Sequence, residues 1–197
     1  MKTFNVSLVG VGGQGILLTA DLLAKTAAMA GLEVKKSEIH GMAQRGGSVI
    51  SQVRFGDEVA SPIIQEGTSD ILVAFDRLEA LRWGHLLAKG ASALINDMDL
   101  TPVTVSSGQQ SAVTDMDARL KKAFPKAVTV DAMKVATEQV GNARTMNMVI
   151  AGALSTLTPF TAEQWLAALA ELLTGPKAKL LDVNRKAFEL GRAAAAK

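Results

Sequence analysis

The stretch Phe4-Asn5-Val6-Ser7-Leu8-Val9-Gly10-Val11-Gly12-Gly13-Gln14-Gly15 runs a short strand-like segment straight into a cluster of glycines. Behind it Ile16, Leu17, Ala20, Leu23, Ala24 and Ala27 fall on one broad helical face, and Gly31 is a natural stop. Strand, glycine loop and helix in that order form the opening unit of a parallel α/β sheet. In Gly10-x-Gly12-x-x-Gly15 the first glycine permits a tight turn. The second lets backbone approach a phosphate, and the third lets the helix pack closely with its first amides aimed at the anion. Gly13 loosens the loop further. The competing reading is that these glycines serve only close packing against a neighbouring loop or subunit.

Outward from that unit, Val34 to Ile39 is expected to be the second strand, and Ser48 to Phe55 alternates as a strand should. Gly56-Asp57 reads as a hairpin turn into Glu58 to Ile64, an antiparallel insertion spanning 41–64. Ile71 to Phe75 is a continuous apolar run, expected as a strand covered on both faces. A helix over 77–89 follows, then short strands near 93–95, 103–105 and 127–130. From Asp131 the pattern is helical, over 132–140, 145–157, 162–173 and 177–191, with Thr161 and Gln164 placed as a helix cap and 193–197 as a frayed tail. The expected fold is α/β: a mainly parallel Rossmann-like sheet with flanking helices, an inserted β-hairpin and a helical C-terminal third. It forms one domain over 1–197, with a sheet core to residue 131 and helices from 132.

Composition narrows the function classes. The chain has 197 residues, 48% of them hydrophobic and 20% charged, with a net charge of +2; that supports a folded core and not a disordered tail. Without a polybasic run, and with 4% aromatics, it offers no stacking platform for nucleic acid. There is no cysteine, which excludes disulfides and thiolate-held zinc or iron–sulfur clusters within this chain. The N-terminus makes a poor signal peptide, because Asn5 and Ser7 break its apolar stretch. The uncharged run from Thr145 to Ala162 holds Asn147, Ser155 and Pro159, so a buried helix and turn are expected and no membrane span. The chain reads as cytoplasmic.

Glu38 lies 23 residues beyond Gly15, near the spacing at which a dinucleotide fold places a ribose-binding acid. Taken alone, it supports a free-standing NAD(P)-binding oxidoreductase. The next segment, His40-Gly41-Met42-Ala43-Gln44-Arg45-Gly46-Gly47-Ser48, argues otherwise. Flexible backbone beside a planar cation suits capture of phosphate or carboxylate. Arg45 would supply a fixed charge, while His40 and Gln44 would orient the ligand. For His40 a hydrogen bond that merely fixes the loop is an equal alternative. His85, the other histidine, reads as a surface residue. Paired acids Asp97/Asp99 and Asp115/Asp117 read as turn and helix-start residues. Asn142 and Asn147 read as interface or loop-bracing residues, with an αL turn after Gly141 the alternative for Asn142.

Read together, Gly10-Val-Gly-Gly-Gln-Gly-Ile16 and Ser37-Glu-Ile-His-Gly-Met-Ala-Gln-Arg-Gly-Gly-Ser-Val49 resemble the beta-type subunit of indolepyruvate ferredoxin oxidoreductases. That subunit is similar to the gamma subunit or gamma domain of pyruvate and related 2-oxoacid:ferredoxin oxidoreductases. The likeness continues through Ser61-Pro62, Asp70 to Phe75, Asp131-Ala132, Gly141-Asn142, Asn147 with Gly152, and Asn184 to Gly191. It implies an assembly that oxidises a 2-oxoacid to an acyl-CoA and reduces ferredoxin, using thiamine diphosphate and iron–sulfur clusters carried by a large catalytic subunit. This chain would dock there and help hold coenzyme A, with Gly10, Gly12, Gly13, Gln14, Gly15, His40, Gln44, Arg45, Gly46 and Gly47 as the binding set and no catalytic or metal-ligating residue of its own. The chain lacks the Gly-Asp-Gly followed by paired asparagines that a thiamine diphosphate site needs, so the isolated chain is expected to be inactive. Two rivals stand beside this reading: the NAD(P) enzyme, and a docking module that binds no ligand. The identity of the 2-oxoacid, the stoichiometry and any homo-oligomer of the isolated chain are left open by the residues.

Overall fold

The computed structural model describes residues 1–40 and 46–196. A single sheet runs in the order β2-β3-β1-β4-β5-β6, with β1 at Phe4–Val11, β2 at Glu33–His40, β3 at Ser48–Gly56, β4 at Ser69–Ala74, β5 at Leu87–Asn96 and β6 at Val128–Val130. β1, β4, β5 and β6 pair parallel, while β3 runs antiparallel to both β1 and β2. Alternation along each strand feeds two separate cores. Val6, Leu8, Val53, Ile71 and Val73 face α1 (Ile16–Met29), α6 (Met146–Ser155), α7 (Ala162–Leu172) and α8 (Leu181–Ala195). On the other face Val9, Leu72, Ala74 and Ile95 pack beneath α2 (Arg77–Trp83) and α4 (Met116–Ala123). Between these lie α3 (Val103–Ser106) and α5 (Ala132–Lys134), which continues as a π-helical turn over Val135–Val140. Among the described residues no helix is long and apolar enough to cross a membrane.

The inserted hairpin exists, but it is formed by β2 and β3 and not by 48–64. Both edges of β3 are taken, by β1 and β2, so 58–64 has no strand to pair with. Side chains hold it instead: Arg54 Nη1 donates to the carbonyls of Ser61 and Ile63, and Ile64 N donates to Gln52 Oε1. The helix expected over 77–89 stops at Trp83, and after a single 3₁₀ turn residues 87–96 are drawn into a strand by pairing with β4. Residues 103–105 are helical despite their β-branched side chains. Pro102 starts a turn there, its carbonyl accepting from Val105 N and Ser106 N. The last helix begins at Leu181, after a 3₁₀ segment over Gly175–Leu180, and continues through the expected frayed tail to Ala195. Burial of Ala187, Phe188 and Gly191 holds it against α6. The cap on α7 formed as read, with Thr161 and Gln164 making a reciprocal capping box.

Candidate functional site

β1 ends at the carboxyl end of the sheet, where the chain must turn sharply into α1. Gly10 is hemmed in: a Cβ there would sit 2.7 Å from Phe75 Cβ and 2.6 Å from Gln14 Oε1. Gly15 is the N-cap of α1, in the left-handed region at φ 86, a conformation that favours glycine. Gly13 has φ 106 with no atom within 4 Å of its missing side chain, so it faces open space.

The structure brings the two glycine motifs together. Gly12 N donates to Gly47 O at 2.9 Å, and Gly46 N donates to Gly12 O at 3.4 Å. Gln14 braces the same loop. Its Oε1 accepts from Val11 N at 2.7 Å, its Nε2 donates to Phe75 O at 3.2 Å, and its own amide donates to Val11 O at 3.2 Å. Gly12 and Gln14 therefore use their amides inside the protein. Among the described residues the amides of Gly13 and Gly15 have no such partner, and α1 carries no acidic residue in its first turn. A cleft of about 470 Å³ opens over this helix start, lined by Gly12, Gly13, Gly15, Leu17, His40 and Val49 among others. Unpaired amides at a helix N-terminus, with the positive end of the helix dipole behind them, attract an anion. At the mouth Leu17 and Leu18 are 40% and 39% exposed, and the walls around the glycine amides are predominantly apolar. His40 sits at the end of β2, opposite Val49. Gln44 and Arg45 lie outside the described residues.

The acid of the dinucleotide reading is elsewhere. β3 intervenes between β1 and β2, placing the end of β2 two strand spacings, roughly 10 Å, from the glycine loop. Glu38 binds Lys36 Nζ at 2.6 Å. Of the remaining polar residues, Gly141 takes the αL position and Asn142 caps the next turn, accepting from Arg144 N at 3.1 Å. Asn147 is buried against Gly15: a Cβ on Gly15 would come within 2.7 Å of its Nδ2. Asp97, Asp99 and Asp117 all gather on Arg77, as an exposed ion network.

Sequence reasoning passed over Asp76 and Glu79, both nearly fully buried beside the loop. The signal was present, since Asp76-x-x-Glu79 directly after an apolar strand is a helix-cap pattern. Asp76 Oδ1 accepts from Glu79 N at 2.9 Å, capping α2. Glu79 in turn accepts from Ser48 Oγ at 2.5 Å, Trp83 Nε1 at 3.0 Å and Arg82 Nη1 at 2.5 Å. This ties α2 to the residue that follows the second glycine motif. Burial pushes the Asp76 carboxyl up from 3.8 to about 6, and the Glu79 charge adds to the effect, while the Glu79 and Leu78 amides and Arg82 oppose it.

A raised acid pKa means that the folded state favours the protonated form. This contribution to stability is fully present below pH 3.8 and is lost as pH rises through about 6. Urea unfolding at pH 4 and pH 7 should therefore show Asp76→Asn gaining stability relative to the native chain at the higher pH, by on the order of 2 kcal/mol. Parallel pH profiles for the two proteins would rule out a strained, ionisable Asp76.

Comparison with known proteins gives a consistent result. Residues 5–194 match the family described as pyruvate ferredoxin/flavodoxin oxidoreductase. The chain is 41% identical over 199 residues to the indolepyruvate oxidoreductase subunit IorB of Thermococcus kodakarensis, covering 99% of this chain and 97% of that protein. It is 42% identical to the IorB of Pyrococcus horikoshii, at 99% and 97% coverage. In fold it is similar to the gamma subunit of a keto/oxoacid ferredoxin oxidoreductase from Geobacter sulfurreducens, with TM-score 0.71, 22% identity and 98% of both chains covered. It is also similar in fold to the 2-oxoglutarate:ferredoxin oxidoreductase of Magnetococcus marinus, solved with 2-oxoglutarate, coenzyme A and succinyl-CoA bound. There the TM-score is 0.73 at 23% identity, and the match covers 100% of this chain and 31% of that one.

Proposed function

Since the chain belongs to the pyruvate ferredoxin/flavodoxin oxidoreductase family, we propose that it is the accessory subunit of a 2-oxoacid:ferredoxin oxidoreductase and presents the glycine cleft to coenzyme A. Its relatives are subunits of indolepyruvate oxidoreductases, so an aryl pyruvate is the 2-oxoacid we assign. The observation that carries the ligand assignment is the pair of unpaired amides, Gly13 and Gly15, at the start of α1 over an open cleft. They suit a phosphate of coenzyme A. Arg45, in the segment joining β2 to β3, supplies the charge, His40 flanks the cleft, and Gly46 and Gly47 hold the loop through Gly12. The Magnetococcus enzyme was solved with coenzyme A bound, and a chain of it contains a unit of this fold.

Thiamine diphosphate and the iron–sulfur clusters belong to a large catalytic subunit in this reading. The donor set here fits neither: the chain has no cysteine, and no group of three His, Asp or Glu side chains suited to a metal occurs among the described residues. When bound to the partner, those groups supply the decarboxylation and the electron path to ferredoxin. The chain's own task is to bind and orient the thiol acceptor and to exclude water at the junction. Leu17 and Leu18, exposed at the cleft mouth, form the apolar rim that the catalytic subunit covers. We place the complex in the cytoplasm.

The test is reconstitution with the catalytic subunit. The isolated chain should reduce no ferredoxin with a 2-oxoacid and CoA, whereas the complex should. In the complex Arg45→Lys should raise the half-saturating CoA concentration about tenfold, or ~1.4 kcal/mol, and Arg45→Ala further, with co-purification intact. A lysine cannot reproduce the bidentate geometry of the guanidinium. If Arg45→Ala instead dissociates the complex and leaves CoA dependence unchanged, the motif is a docking surface without a ligand.

A further inference from the structure

On the other side of Gly12 from the glycine cleft lies a crevice of about 300 Å³, bordered by Gly12, Gly46, Asp76, Leu78, Leu100 and Pro102 among others. It sits above the ends of β1 and β4, where the connections diverge: α1 packs on one face of the sheet and α2 on the opposite face. Such a divergence leaves an opening at the carboxyl ends of the strands, the customary ligand position in open α/β sheets. We propose that this crevice is a second binding site, one that takes an uncharged hydrogen-bond-donating group, a hydroxyl or amide N–H, onto Asp76 Oδ2.

Asp76 is 1% exposed, and its Oδ2 has no hydrogen-bond partner among the described residues. Buried polar atoms are satisfied in the great majority of cases, so an orphan buried oxygen on a residue that lines a crevice points to a donor supplied from outside. Arg82 Nη1, Ser48 Oγ and Trp83 Nε1 all serve Glu79. Arg82 also lines the crevice and offsets the charge of Glu79, so the Asp76 carboxylate is left to repel phosphate, and an anion is better placed in the cleft over α1. An ammonium group would have to shed its water between Leu78, Leu100 and Pro102, and one carboxylate does not return that cost. A neutral donor satisfies Oδ2 without either penalty.

Gly12 borders both openings. One ligand with an anionic part and a neutral, hydroxyl-bearing part therefore spans them by passing Gly12. Naming coenzyme A as that ligand rests on the function proposed above; the crevice and its donor chemistry do not. Coenzyme A offers such donors in two parts, the pantetheine arm and the adenosine, through its ribose hydroxyl and adenine amino group.

The test uses the full chain with ¹³C-labelled carboxyl groups, the Asp76 resonance being identified by its loss in Asp76→Asn. Pantetheine, adenosine and inorganic phosphate are titrated separately by NMR, and CoA last. Either pantetheine or adenosine should shift the Asp76 resonance saturably, and the one that does identifies the arm or the adenosine as occupant. Phosphate should move the Gly13 and Gly15 amide resonances but leave Asp76 in place. Asparagine retains the oxygen that caps α2 while turning an N–H₂ toward the ligand. The variant should therefore fold and lose at least tenfold in affinity for the responding fragment, read by calorimetry. If neither fragment nor CoA moves Asp76, or if Asp76→Asn binds the fragment as tightly as before, the crevice is not a ligand site. A CoA response confined to Gly13 and Gly15 overturns the crevice alone. A fragment response at Asp76, with CoA leaving those amides unmoved, overturns the glycine-cleft assignment alone.

Discussion

Gly152→Ala is expected to destabilise the chain by more than about 3 kcal/mol, enough to unfold a domain of ordinary stability near its midpoint temperature. α6 and α8 touch through their backbones. A Cβ on Gly152 would overlap the carbonyl of Phe188, and one on Gly191 would overlap the carbonyl of Val149. Neither obstacle is a flexible side-chain end, so the methyl has no room unless α8 moves as a body. That movement would pull Phe188 out of a fully buried site, off Trp165 at a ring separation of 6.0 Å, and would break the 2.6 Å bond from Arg192 Nη1 to Ser155 Oγ. Overpacking alone costs roughly 1–3 kcal/mol, and the partial loss of a buried aromatic contact adds to it. Gly31→Ala is the control. Gly31 also lacks a side chain for a conformational reason, φ 81, but has open space around it, so about 1 kcal/mol is expected there. Urea denaturation of both variants measures the difference. A Gly152→Ala protein within 1 kcal/mol of the native chain would mean that the helices are not in backbone contact.

Gly15→Ala should damage folding and ligand binding together. Its φ of 86 costs a side-chain-bearing residue about 1–2 kcal/mol. The new methyl would also press on buried Asn147, whose Nδ2, Cβ and Cγ lie 2.7–2.9 Å from the Cβ position. The start of α1 must then shift, and with it the amides of Gly13 and Gly15 that the proposed phosphate uses. A total destabilisation of about 3 kcal/mol is expected, with a rise of tenfold or more in the half-saturating CoA concentration of the reconstituted complex. Combining it with Asn147→Gly, which removes the crowding Cβ as well as the amide, separates the two causes. The double variant should regain the part due to crowding and keep the part due to backbone angle, so the two changes should be non-additive by at least 1 kcal/mol. Strict additivity would show that Asn147 does not crowd Gly15.

Most of the strand and helix positions were legible because burial leaves a period. β1, β2, β3 and β4 start and end within two residues of where alternation or apolar runs put them. The C-terminal helices followed the 3.6-residue rhythm and the cap at Thr161. Two of the failures share a cause. Residues 58–64 have a strand's alternation but no free edge, because β3 is already paired on both sides. Residues 87–92 look like the end of a helix and become strand because β4 offers them a partner. Pairing partners are distant in sequence, and no local pattern records which edge is open.

The candidate site divides along the same line. The residues themselves showed that Gly10 to Gly15 forms a turn from strand to helix and that the chain holds no cysteine for a cluster, and the two glycine motifs together carried the family resemblance. Local chemistry suffices for those conclusions: φ restrictions, ligand types and helix periodicity act within a few residues. Only tertiary structure decided which amides remain for a ligand, because Gly12 gives its N–H to Gly47 and Gln14 turns back on Val11 and Phe75. It alone separated Glu38 from the loop by inserting β3, and it alone buried Asp76 with one oxygen unpaired. Hydrogen-bond satisfaction and burial are properties of neighbours brought together by the fold, and the order of residues along the chain does not contain them.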